Sequence, residues 1–89
     1  MDGRALVAWN LRRLRVAQGV SQERLAFDSG VDRSYVGGIE RQEQNPTVDV
    51  LDRLARTLGV SISELFKVPR KSALTPKPLR RGRKARDSR

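Results

Sequence analysis

Residues 21–41, SQERLAFDSGVDRSYVGGIER, contain two helix starts separated by one sharp stop. Ser21 is a good N-cap for a helix over about 22–29, and Glu23 lies in its first turn, where a negative charge is favoured. Arg24 stands where a capping box would place an acid, so that box is incomplete. Leu25 and Ala26 face a core, and Gly30 supplies the positive φ a tight turn requires. Asp32 caps a further helix that begins at Arg33 and buries Val36 and Ile39, while Val31 plugs the angle between the two. Two short helices around Gly30-Val31-Asp32 fit a helix-turn-helix, whose second helix enters the DNA major groove. Spacing alone proves little, because any small helical bundle contains such pairs.

The flanks continue the helical pattern. Val7, Leu11, Leu14 and Ala17 fall near one face of a helix over residues 5–18, and Gly19 stops it. Residues 42–46 are a polar loop, and Thr47 caps a fourth helix with an apolar stripe of Val50, Leu51, Leu54, Ala55 and Leu58, ended by Gly59. Ser61 caps a short fifth helix carrying Ile62, Leu65 and Phe66, and Pro69 closes the ordered part. No strand pattern competes. The reading is an all-alpha domain of five helices over 1–68, followed by a tail over 69–89. Pro76, Pro78, basic crowding and few large apolar groups mark that tail as disordered in isolation.

Charge divides the chain at the same place. Of 19 basic and 10 acidic residues, nine of each lie in residues 1–66, so the helical part is formally neutral. The whole net charge of +9 resides in residues 67–89, where Asp87 is the one acid. With no cysteine and no histidine, disulfides, the commonest zinc ligands and the commonest general base are missing. Neither a glycine-rich phosphate loop nor an acid cluster appears, which argues against an enzyme, and no cofactor is implied. The apolar runs fall well short of the roughly 20 residues that span a bilayer. The first ten residues are too polar for a signal peptide. A cytoplasmic protein is the expectation.

The segment SQERLAFDSGVDRSYVGGIERQEQNPTVDVLDRLARTLGVSISELF resembles the Cro/C1-type, or xenobiotic-response-element, helix-turn-helix family. Within it, DRSYVGGIER is most similar to the controller proteins of restriction-modification systems and their relatives on mobile elements. The resemblance covers about residues 7–66 and implies a five-helix Cro/C1 repressor-like domain that binds double-stranded DNA as a homodimer. It places Gln22 against a DNA phosphate, with a solvated first-turn residue as the alternative. It places Arg33 and Ser34 at base edges, where Arg33 can donate twice to guanine or hold a phosphate instead. Tyr35 has two readings, a backbone or thymine-methyl contact and ring packing along the second helix. Arg15 and Glu40 match an ion pair joining the first helix to the end of the third. Arg41, Asn45 and Thr47 border the next loop as backbone-contact candidates, with Thr47 and the first amides of the fourth helix able to receive a phosphate. Arg12 and Arg13 are either auxiliary contacts or merely solvated.

Gly37 and Gly38 depart from the family pattern, because Gly38 falls where many relatives carry a long polar base-reading side chain. Two interior glycines cost on the order of 1.5–2 kcal/mol against alanines. They allow close approach of the recognition helix to DNA, or else tight packing against another chain or local flexibility. Ile62, Leu65, Phe66 and Val68 are the dimer-interface candidates, although some must close the core. Trp9 lies off the main stripe, at the core edge or on a partner surface. In the tail, Arg80, Arg81, Gly82, Arg83 and Lys84 are the phosphate or minor-groove candidates, with Arg81-Gly82-Arg83 a weak likeness of an AT hook. RNA polymerase or an antiactivator protein is a further candidate partner. The rival reading is a protein-binding antiactivator or antitoxin on the same fold.

Overall fold

The computed structural model describes residues 1–70. Four α-helices, α1 (Gly3–Ala17), α2 (Gln22–Ser29), α3 (Arg33–Glu40) and α4 (Val48–Thr57), are followed by a 3₁₀ helix, Ile62–Phe66. Among the described residues the regular elements are all helices, with no strand. The last element corrects the expectation of a fifth α-helix. Its five residues make a tight turn in which the Glu64 N–H donates to the Ser61 carbonyl at 2.9 Å. Lys67 is already extended at φ −71, ψ 124. So short a segment gains little from i→i+4 bonding, and burial of Leu65 holds it in place.

Capping accounts for the other boundaries. α1 begins two residues earlier than its apolar stripe suggests, because the Asp2 carboxylate accepts from the Ala5 N–H at 2.9 Å. Ser21, Asp32 and Thr47 cap α2, α3 and α4. Both α1 and α4 end in a Schellman motif. At α1 the Gly19 N–H reaches Val16 and the Val20 N–H reaches Arg15, and Gly59 and Val60 repeat this at Arg56 and Ala55. α3 ends the same way, through Gln42 and Glu43 to Ile39 and Gly38, but with the non-glycine Gln42 at φ 64.

The core gathers Val7, Leu11, Leu14, Leu25, Val36, Ile39, Leu51, Leu54, Leu58 and Leu65, with Val31 closing the α2–α3 angle. Ala17 is exposed, contrary to the periodicity reading, because α1 ends there and its last turn overhangs the core. Asn10 is fully buried and went unrecognised in the sequence. Its amide nitrogen lies 2.9–3.0 Å from the carbonyls of Leu6, Leu65 and Lys67, and its oxygen accepts from Arg13. One polar side chain therefore ties the 3₁₀ helix to α1. Arg13 reinforces the join from outside, against the Glu64 carboxylate at 3.4 Å and over the Trp9 ring. Among the described residues, no helix is long and apolar enough to cross a membrane.

Candidate nucleic-acid interface

α3 packs against both α1 and α2 and turns its first residues outward. Arg33 and Ser34 are exposed, and Tyr35 is half-buried against the core. Among the described residues, no carboxylate comes within ion-pair distance of Arg33, whereas Arg24 and Arg56 are each paired along their own helix. Ser34 is tied to Asp32, its hydroxyl and amide both donating to one carboxylate oxygen. That hydroxyl, followed by the Tyr35 and Ser34 amides and the Arg33 charge, holds the Asp32 carboxyl below its ordinary range against the smaller upward pull of desolvation.

The direction of α3 is set by a clamp at its far end. Arg15 donates to both oxygens of Glu40, Nε at 2.7 Å and Nη2 at 3.0 Å, and its Nη1 reaches the Val20 carbonyl at 2.9 Å. The fork is bidentate and mostly dry, with the two side chains 13% and 2% exposed. Gln22 Nε2 adds a third donor to Glu40 at 3.0 Å. Burial pushes the Glu40 carboxyl upward, but the Arg15 and Gln22 hydrogen bonds and the Arg15 charge outweigh it, so it stays below its ordinary value. The hydrogen bond to Glu40 likewise holds the Arg15 guanidinium above its own, against burial. The last turn of α1, the first turn of α2 and the last turn of α3 are thereby fastened at one point.

Both helix-interior glycines make room for side chains of this same chain. A Cβ at Gly37 would stand 3.0 Å from Arg41 Nη1 and 3.4 Å from Gln22 Oε1. At Gly38 it would stand 2.7 Å from Gln44 Cγ. Arg41 lies back over α3 and pairs with Glu43 at 3.1 Å. The structure therefore brings Gln22, Gly37 and Arg41 together, and sets Gln44, absent from the sequence candidates, over Gly38. Asn45 and Thr47 are exposed beyond the loop, and the Thr47 hydroxyl accepts from the Val50 N–H at 3.1 Å. Arg12 is exposed, while Arg13 belongs to the join with the 3₁₀ helix. Of the four interface candidates, Leu65 is wholly inside the core and cannot meet a partner, and Ile62 is half-buried. Phe66 and Val68 are 44% and 77% exposed. Arg80, Arg81, Gly82, Arg83 and Lys84 lie outside the described residues.

The helix-turn-helix family profile HTH_3 matches residues 11–65. A protein named Neisseria hypothetical transcription factor, from Neisseria meningitidis serogroup B, is 41% identical over 68 residues, which are 76% of this chain and 64% of that protein. The crystal structure of the restriction-modification controller protein C.AhdI from Aeromonas hydrophila matches with TM-score 0.69 and 48% identity, over 71% of this chain and 96% of that one. The controller protein C.Esp1396I, solved as a tetramer in complex with its natural 35 base-pair operator, matches with TM-score 0.65 and 32% identity, over 75% and 99% of the two chains. Profile, relatives and fold agree: the chain belongs to the Cro/C1-type helix-turn-helix family, alongside transcriptional regulators and restriction-modification controller proteins.

Proposed function

We propose that the chain is a transcriptional regulator that binds a palindromic operator in double-stranded DNA as a homodimer. The observation that carries this reading is Arg33, exposed and without an ion-pair partner among the described residues, at the start of an α3 whose direction the Arg15–Glu40–Gln22 clamp fixes. A guanidinium presented on a rigid helix suits bidentate donation to guanine O6 and N7. Ser34 reads beside it once its hydroxyl leaves Asp32. Gln22, Tyr35, Arg41, Asn45, Thr47 and the backbone at Gly37 and Gly38 set the register on phosphates. The operator held by the C.Esp1396I tetramer supports this reading by analogy.

Two copies joined through Phe66 and Val68 would present two α3 helices about 34 Å apart, one turn of DNA. Residues 1–68 would choose the site, and residues 69–89 would add salt-sensitive grip. The direct test is a mobility-shift competition on operator DNA with Arg33→Ala. Discrimination between the operator and a variant at the contacted guanine should fall by about 5- to 150-fold, the span of one bidentate contact. Equal weakening on all sequences would reassign Arg33 to phosphate. Unchanged binding would refute its role.

A further inference from the structure

Gly38 follows Ser34 by four residues, so the two positions share one side of α3, next to the stripe of Arg33 and Gly37. Position 38 offers no side chain, yet it is covered. Gln44 crosses it with Cγ 2.7 Å, Nε2 3.4 Å and Cδ 3.6 Å from where a Cβ would stand. The loop is built to bring it there. Gln42 turns the chain through φ 64, and the Glu43 N–H donates to the Gly38 carbonyl at 2.8 Å, so that residue 44 comes back over the helix. Among the described residues, the Gln44 amide makes no hydrogen bond within the chain. Gln18 and Gln22, by contrast, each commit one amide N–H, to the Leu58 carbonyl and to Glu40. A half-buried amide with its donors and acceptor uncommitted, on the face that carries Ser34, is placed to meet a ligand.

We propose that Gln44 is a base-reading residue, delivered from the α3–α4 loop across Gly38, and that its amide reads an adenine. This rests on the DNA-binding reading given above. An amide donates to adenine N7 and accepts from N6, which no other base edge in the major groove matches in the same way. Being neutral, it adds specificity without salt-dependent affinity. Gly38 is then required because any side chain there displaces Gln44.

The test is selection of randomised DNA duplexes by the full-length wild type, Gln44→Ala and Gly38→Ala. The wild type should enrich a symmetric motif containing an A·T pair at one position of each half-site. Gln44→Ala should lose that preference alone, by about 5- to 150-fold, with every other position retained. Gly38→Ala should weaken the same position, and the double variant should be no worse there than Gln44→Ala. A Gln44→Ala motif identical to the wild type overturns the proposal. So does uniform weakening on all sequences with an unchanged salt dependence, which marks a neutral hydrogen bond to phosphate. If the wild type enriches no motif at all, the DNA-binding reading itself fails, which distinguishes the two.

Discussion

Replacing Glu40 by glutamine preserves the outline of the side chain while removing its charge from a nearly dry site. The carboxylate accepts three hydrogen bonds, two of them from Arg15. A glutamine oxygen replaces part of that set, and its NH₂ group is turned toward a donor. Removing one partner of a buried pair costs about 3–5 kcal/mol, most of it from the charge left behind. Arg15 keeps 13% of its side chain exposed and can rehydrate in part, which lowers the expectation to roughly 2–3 kcal/mol. That is a large share of a small domain's stability, so urea unfolding followed by far-UV circular dichroism resolves it easily. An Arg15→Met, Glu40→Leu double variant should recover much of the loss, since it removes both charges together. Acidity gives a second readout. The Glu40 pKa lies below its ordinary value of 4.5 in the folded protein, so its stabilisation is complete above that pH and is lost as pH falls through the folded value. Glu40→Gln should therefore flatten the decline of stability below about pH 4.5. A variant within about 0.5 kcal/mol of wild type with an unchanged acid slope would refute the clamp as the element that orients α3.

Two further outcomes follow from single residues and a third from the tail. Gln42→Gly removes the strain of a side chain at φ 64 and should stabilise the fold by about 0.5–1 kcal/mol in thermal unfolding, glycine's chain entropy offsetting part of the gain. Asn10→Ala strips the 3₁₀ helix of its polar tie and leaves buried carbonyls unpaired, so a loss of about 2–4 kcal/mol is expected, with Leu65 amide exchange accelerated first. Deleting residues 69–89 should keep operator preference but make log K against log salt shallower by about 0.9 for each phosphate released. Loss of preference on that deletion would move site choice into the tail.

Cap residues and apolar spacing made most of the fold legible. Ser21, Asp32 and Thr47 mark the starts of α2, α3 and α4, and each does so by a local bond that needs no tertiary context. Asp2 and Ala17 were harder. The first cap precedes the apolar stripe, and the stripe continues past the point where core lies beneath it. Asn10 could not be found by hydrophobic pattern, because two of its three carbonyl partners lie more than fifty residues away. The glycine pair suggested approach by DNA or by another chain, and the side chains that lie over it belong to this same chain. They are Gln44, Arg41 and Gln22, which the Gln42 turn and the Glu40 clamp bring over α3. Phe66 and Leu65 are neighbours with the same chemistry, and only the tight turn of the 3₁₀ helix sends one outward and the other into the core.

Genome-wide protection mapping with the 89-residue chain is the decisive measurement of site-specific DNA binding through α3. It should return a small set of protected sites that share a two-fold symmetric sequence, with half-sites centred about one helical turn apart. Broad protection with no common sequence, tracking only salt and DNA concentration, would contradict such binding.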